Sequence, residues 1–283
     1  MLVIQLLNGL SYGVLLFLLA AGLSLIFGLM NIVNMAHGSY YFIGAYIGYA
    51  VFKYSGNFLL ALLASGLSVG VIGLLMDRFL FRYMYKQELE QVLLTFGFIY
   101  IFEDICKWIW GGSVYGIDPP AFLTGAVTIM GSFFPIYRLC VTGVGMLIAL
   151  GLWFFQEKTI IGAIIRAGTD DEEMVRGLGI NIAAISTLVF AMGAALAGLS
   201  GAIGAPMLGI YPGLDLEVLI LALIVVVVGG LGSLQGAFWG SLFIGMVDSF
   251  GKAYFPDLAM FTVFGAMALI LLFKPSGLLG RKV

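Results

Sequence analysis

The sequence predicts an all-α polytopic membrane protein, and three observations carry that prediction. Hydrophobic residues make up 62% of the 283 and charged residues only 10%, too little polar surface to cover a water-soluble globule. The mean hydropathy of +1.12 agrees. The apolar residues gather into blocks with short polar breaks, as a hydrocarbon core about 30 Å thick demands of helices roughly 20 residues long. The 40 glycines permit close helix packing and helices broken inside the bilayer. On span length, about 8 transmembrane segments are expected, in a range of about 8–10 that counts half-helices. A net charge of −2 is too small to suggest nucleic acid.

Residues 6–27 form the first span. No basic residue precedes it, Lys53 being the first, so it is expected to stay as a span and not be cleaved as a signal peptide. Residues 28–39 follow, too polar to face lipid and too apolar for an ordinary loop. Residues 39–52 are a short helix, 58–75 a regular span, 77–90 a charged loop, and 91–110 a span carrying Glu103 and Asp104. Residues 111–137, with Asp118-Pro119-Pro120 and β-like runs, read as an extracytoplasmic loop or hairpin. Spans at 138–155 and 182–205 flank a polar stretch at 159–180. Residues 216–228 and 237–250 are separated by a glycine-rich break, and 261–273 lead to a basic tail. The chain is thus a single transmembrane domain, 1–283.

The two interrupted segments share a pattern. His37, Gly38 and Ser39 precede Gly44 and Gly48, while Gly232 and Ser233 precede Gly240 and Gly245. Such pairing suggests an internal two-fold repeat around a path through the membrane. Gly44/Gly48, Gly66/Gly70 and Gly236/Gly240 have the spacing that lets helices approach closely.

Basic residues set the orientation, because they stay in the cytoplasm. Arg78, Arg82 and Lys86 mark one cytoplasmic loop, Lys158, Arg166 and Arg176 another, and Lys274, Arg281 and Lys282 the tail; Lys53, Lys107, Arg138 and Lys252 stand singly outside.

The stretch at 159–180 is the longest polar interruption. Thr169 stands three residues before Glu172, the spacing of a capping box. Asp170, Asp171, Glu172 and Glu173 suit the positive end of a helix dipole, and Gly177 and Gly179 offer the backbone freedom that ends a helix. A solvated connector needs neither feature, nor the apolar Met174, Val175, Leu178 and Ile180 among the charges. A short capped helix that docks a soluble partner is expected here, Arg176 included.

Three motifs carry a family resemblance. GLMNIVNMAHGSYYFIGAY (28–46), IRAGTDDEEMVRGLGIN (165–181) and VVVVGGLGSLQGAFWG (225–240) together resemble the permeases of branched-chain amino acid ATP-binding-cassette importers, the LivH-type subunit most of all. The resemblance implies a multi-pass subunit of a bacterial or archaeal inner membrane. It also implies a second homologous permease, two cytoplasmic ATPases and an extracytoplasmic substrate-binding protein as partners. It makes residues 170–180 a coupling helix seated in a cleft of the ATPase. Related permeases carry urea or short amides.

The chain has no GxxxxGK[ST] phosphate loop, so ATP and magnesium belong to the partner ATPases and no cofactor is expected on this chain. Energy must then arrive through contact at the coupling helix. For the translocation path the candidates are Asn31, Asn34, His37, Gly38 and Ser39 with Gly229, Gly230, Gly232 and Ser233, since backbone and amide dipoles suit a zwitterion that must not be trapped. The same polar groups could instead satisfy broken helix ends. No catalytic residue and no metal site is expected: one histidine and two cysteines in apolar runs, Cys106 and Cys140, assemble neither a nucleophile with its base nor a metal cluster.

Two other classes stay open on the sequence. Glu103 and Asp104 could carry protons in a secondary carrier, although Lys107 lies four and three residues on, at ion-pair spacing. A channel or scaffold without energy input is the third.

Overall fold

The computed structural model describes residues 2–30, 32–84 and 87–280. The chain forms α1 (Leu2–Met30), α2 (His37–Ser55), α3 (Phe58–Phe79), α4 (Glu88–Trp110), a hairpin of β1 (Ala126–Ile129) and β2 (Ser132–Pro135), then α5 (Ile136–Lys158), α6 (Ile160–Asp170), α7 (Glu172–Gly177), α8 (Ile182–Leu208), α9 (Leu214–Gly229), α10 (Leu234–Tyr254) and α11 (Ala259–Phe273). It is a mostly helical, multi-pass membrane architecture. Among the described residues five helices are long and apolar enough to cross a bilayer, six if α9 and α10, bent by 118° at their junction, make one broken span. The others fall short for a physical reason: α2 is rich in tyrosine and glycine, and α4 carries Glu103, Asp104 and Lys107 within one span length.

α1 lies at the centre. Most of its apolar length is buried, whereas α5 and α11 turn most of theirs outward. Backbone-to-backbone approach at glycine holds the centre together. A Cβ on Gly44 would lie 2.2 Å from the Gly198 carbonyl oxygen, and one on Gly22 would lie 2.4 Å from that of Gly193. Gly245 backs onto Gly13, and Gly232 onto Gly28. Larger side chains would force these helices apart, which is why the glycine-rich sequence packs without large apolar side chains at its crossings. The expected close-approach pairs all lie at such crossings or beside them: Gly48 meets Ala202, Gly70 meets Ala195, and Gly236 and Gly240 meet Gly229. Ser65 adds a polar tie by donating to the Gly44 carbonyl at 2.7 Å.

The helices run so that the basic residues separate. Arg166 and Lys274 line a space beside Phe27 near the end of α1, whereas Arg138 reaches Asn8 near its start and Lys252 lies over the Tyr12 ring. We call the first the basic end of the bundle and the second the opposite end. Lys86, Arg281 and Lys282 lie outside the described residues.

Residues 111–137 contain the expected hairpin. Its two-residue turn uses Met130 (φ 48) and Gly131 (φ 79), the doubly left-handed arrangement that matches strand twist in tight hairpins. Upstream of it, Tyr115 pairs with Ile210 in an isolated antiparallel bridge, so this loop closes over the end of α8.

Two expectations need correction. Residues 77–90 are not wholly a charged loop: Asp77 belongs to the last turn of α3, is only 3% exposed, and accepts a 2.5 Å hydrogen bond from Thr187 of α8. Phe81 is then buried completely in a 3-10 turn, because an aromatic ring four residues beyond Asp77 finds Phe190 to pack on. The second correction is the capping box. Thr169 does not cap a helix but sits inside α6, its hydroxyl donating back to the Ile165 carbonyl at 2.9 Å. Asp170 ends α6 and does not open the next helix.

Candidate translocation and coupling sites

The polar stretch before α2 folds onto itself and its neighbours. Asn34, fully buried, accepts from the Ala36 amide at 3.0 Å through its side-chain oxygen. This turns the chain into α2 in the manner of an Asx turn. The Met35 amide donates to Thr95 of α4 at 3.2 Å. His37 places Nε2 3.0 Å from the Leu19 carbonyl of α1. Gly38 abuts the backbone of Asp215, and the Ser39 hydroxyl donates to the Asp215 carboxylate at 3.2 Å. Asn31 lies outside the described residues.

Asp215 is the residue that sequence reasoning missed. It is 1% exposed, and its second carboxylate oxygen has no partner among the described residues. The signal was present: an acid two residues after Pro212-Gly213, at the start of an apolar run, belongs to a helix's first turn, where the dipole favours negative charge. Nearby, Glu217 accepts from Tyr211 at 2.5 Å. Burial, and then that carboxylate, push the Tyr211 hydroxyl up to about 12.

Gly229, Gly230, Gly232 and Ser233 make a separate group. They form the sharp turn from α9 to α10, with Gly230 (φ 109) and Gly232 (φ 74) in conformations that disfavour side chains. Ser233 caps α10 by accepting from the Gly236 amide at 3.0 Å. The C-terminal segment covers this turn, its Leu278 and Leu279 amides donating to the Val228 and Gly229 carbonyls at 2.7 and 2.9 Å. Asp215 and Gly229 stand at opposite ends of α9, about 21 Å apart at the usual helical rise. The candidate path residues therefore fall into two clusters joined by α9, not one site.

The segment at 159–180 holds two helices. Thr159 caps α6 by accepting from the Gly162 amide at 3.0 Å, and α6 buries Gly162, Ile165 and Gly168, with Gly168 against Leu29 of α1. The cap of α7 is Asp171, whose carboxylate accepts from the Met174 amide at 2.9 Å. Glu172 pairs with Arg176 at 2.5 Å. Gly177 is the last helical residue and Gly179 (φ 81) makes the turn beyond it. Asn181 then caps α8. Val175 is buried, whereas Met174 and Leu178 are 65% and 73% exposed; Glu173 is exposed and Ile180 half-buried. Helix α7 is held through Val175 and, with Leu178 just beyond it, presents two apolar side chains outward.

Between these parts, at the basic end, lies a cavity of about 970 Å³ lined by Phe27, Glu157, Arg166, Thr169, Gly232 and Ser233 among others. It brings the α6 element and the α9–α10 turn to a common space, with Arg166 3.7 Å from Glu157. Elsewhere, Glu103 is bound to Lys107 at 2.9 Å, Asp248 to Lys252 at 2.8 Å, and Cys106 and Cys140 are both free thiols.

Buried polar groups at helix breaks, and glycine contacts between apolar helices, mark a polytopic membrane protein with tightly crossed helices. The branched-chain amino acid transport system / permease component model matches residues 5–273, and the chain belongs to that family. It is 30% identical to the high-affinity branched-chain amino acid transport system permease protein BraD of Pseudomonas aeruginosa, covering 98% of this chain and 95% of the relative. It is 27% identical to LivH of Escherichia coli K12, over 98% of this chain and 95% of that protein. Probable LivH of Methanocaldococcus jannaschii is 27% identical, over 95% and 90%. No solved structure matches the chain. The protein is a transport permease, not an enzyme.

Proposed function

We propose that the chain is one permease of an ATP-binding-cassette importer in the inner membrane of a bacterium or archaeon. With a second, homologous permease it lines the path for leucine, isoleucine and valine, handed over by an extracytoplasmic binding protein and driven by two cytoplasmic ATPases that hold ATP and magnesium. The basic end faces the cytoplasm, by the rule that Lys and Arg stay inside. The observation that carries the reading is α7: a separately capped helix anchored through Val175, with Met174 and Leu178 facing outward. Such a helix suits an apolar cleft on a partner that delivers force. In this reading α2, α4, α9 and α10 also cross or enter the bilayer, which brings the number of segments to the expected eight or more.

An internal two-fold repeat belongs to the same proposal, with α1–α3 corresponding to α8–α10. Its support is that the two most extensive helix pairs, α3 with α8 and α1 with α10, exchange with one another under that correspondence. A left-handed glycine and a side-chain cap also precede both α3 (Gly56, Asn57) and α10 (Gly230, Ser233). That register pairs α3 with α10, whereas the glycine pattern of the sequence alone pairs α2 with α10.

The test is uptake of labelled leucine into vesicles holding the assembled transporter. ATP-dependent uptake that needs the added ATPases, and that Glu172→Lys with Glu173→Lys abolishes without preventing membrane insertion, is expected. Uptake that is uncoupler-sensitive and independent of ATP would point to a proton-coupled carrier, and passive equilibration to a channel. ATP-driven uptake of urea or short amides in place of leucine would move the substrate but keep the machine.

A further inference from the structure

A second pocket, of about 250 Å³, opens at the opposite end of the bundle among α1, α5, α8 and α10. It is smaller than the roughly 300–1,000 Å³ typical of sites for drug-sized ligands, which scales it to a single amino acid. Its lining combines two cations, Arg138 and Lys252, with one carboxylate, Asp248, leaving a formal surplus of one positive charge.

The two cations differ in their pairing. Lys252 is bound to Asp248 Oδ2 at 2.8 Å and lies 5.2 Å from the Tyr12 ring centroid. Arg138 is half-buried and donates to the neutral side-chain oxygen of Asn8; among the described residues no carboxylate pairs with it. A guanidinium held out of water beside a neutral amide still has donors and charge to offer an anion, and its fork fits a carboxylate. Asp248, 7% exposed, is engaged by Lys252 through Oδ2. Met207 and Leu208, from the end of α8, supply an apolar wall.

We infer that this pocket is a receiving site for an apolar amino acid zwitterion, its α-carboxylate on Arg138, its ammonium at Asp248, and its aliphatic side chain against Met207 and Leu208. The inference rests on the permease reading above and names where its substrate first meets this chain. The pocket is shut on its inner side. Gly9 abuts Met246, and Gly13 abuts Ser241 and Leu242, so α1 and α10 touch backbone to backbone. Ligand held there waits for that seam to part.

The experiment is equilibrium binding of labelled leucine to the assembled permease pair and ATPases in nanodiscs, without the binding protein. Leucine should bind saturably. Leucinamide, which lacks the carboxylate, and 4-methylpentanoate, which lacks the ammonium, should compete at least about 10-fold more weakly. Arg138→Gln should raise the dissociation constant about 10-fold or more and Arg138→Lys much less, with ATPase co-purification as the check on folding. The analogue comparison uses the unaltered protein, so it stands even if a variant fails to assemble. If the unaltered transporter imports leucine with ATP yet binds none in nanodiscs, or binds leucinamide equally well, the pocket assignment falls and the permease reading survives. If ATP-driven leucine uptake is itself absent, the permease reading fails first.

Discussion

The Ser39 hydroxyl donates to the Asp215 carboxylate at 3.2 Å, joining the first turn of α2 to the first turn of α9 across 176 residues of chain. Both groups are at most 1% exposed, so neither can turn to water for a replacement partner. A buried carboxylate in that position needs its donors more than a surface one does.

Ser39→Ala removes the one side-chain donor that reaches Asp215 among the described residues and should destabilise the protein by about 1–3 kcal/mol, the range for stranding a buried polar group. Asp215→Asn keeps an acceptor for Ser39 while removing the charge, and should be the milder change. Thermal unfolding in detergent, followed by a thiol-reactive dye at Cys106, which is free and 1% exposed, reads both. A midpoint for Ser39→Ala equal to that of the unaltered protein would show that the contact carries no stability.

The span boundaries were legible because apolar blocks between polar breaks leave little choice: residues 6–27 became Leu2–Met30, and 182–205 became Ile182–Leu208. What escaped were single polar residues at the edges of those blocks. Asp77 and Asp215 each stand at the edge of an apolar block, and the partners that hold them in the interior, Thr187 and Ser39, come from more than a hundred residues away, where no local pattern reaches. Helix α6 was hidden for a related reason. Its apolar residues 160, 161, 164 and 165 lie on one face, as a helix at a surface requires, but they are few and precede a run of four acids that dominates the stretch. The capping box failed because α6 runs on through Thr169 to Asp170, so the extended backbone that a cap needs falls at Asp171. Asp171, two residues on, then did the capping.

Gly44→Ala should be damaging out of proportion to its size. Its Cβ would have to sit 2.2 Å from the Gly198 carbonyl oxygen, and neither backbone can yield without moving α2 or α8. Overpacking of this kind costs about 1–3 kcal/mol, and here it would also strain the Ser65 bond to the Gly44 carbonyl. Gly97→Ala is the matched control, because nothing lies within 4 Å of its added Cβ and alanine favours a helix over glycine by about 0.8–1.0 kcal/mol. Size-exclusion profiles after heating should show loss of the monodisperse peak for the first and none for the second. Equal behaviour of the two variants would refute the crossing as drawn.

Asp171→Ala tests whether α7 holds its shape by its own cap. The carboxylate satisfies the Met174 amide at 2.9 Å, and losing an N-cap of this type costs about 0.5–2 kcal/mol. Since α7 has only six residues, that loss should unravel it locally while the spans stay folded. Hydrogen exchange at the Met174 and Val175 amides should quicken, and exchange in α8 should not. Unchanged protection at Met174 would mean that packing of Val175, not the cap, defines the helix.

The coupling proposal makes its sharpest demand on Met174 and Leu178. Both are largely exposed, so their own fold draws little from them, and Met174→Asp with Leu178→Asp should leave insertion and the unfolding midpoint unchanged. An ATPase cleft that receives them would lose two apolar anchors and gain two buried charges. Each anchor of that kind is worth upwards of about 1 kcal/mol at an interface, so the pair together should weaken ATPase co-purification by 10-fold or more and abolish ATP-driven uptake. Val175→Ala should do the reverse: it opens a void beneath the helix, lowering stability, while leaving the outward face intact. If the double aspartate variant still retains its ATPases and transports normally, α7 is a connector and force must enter the membrane helices elsewhere.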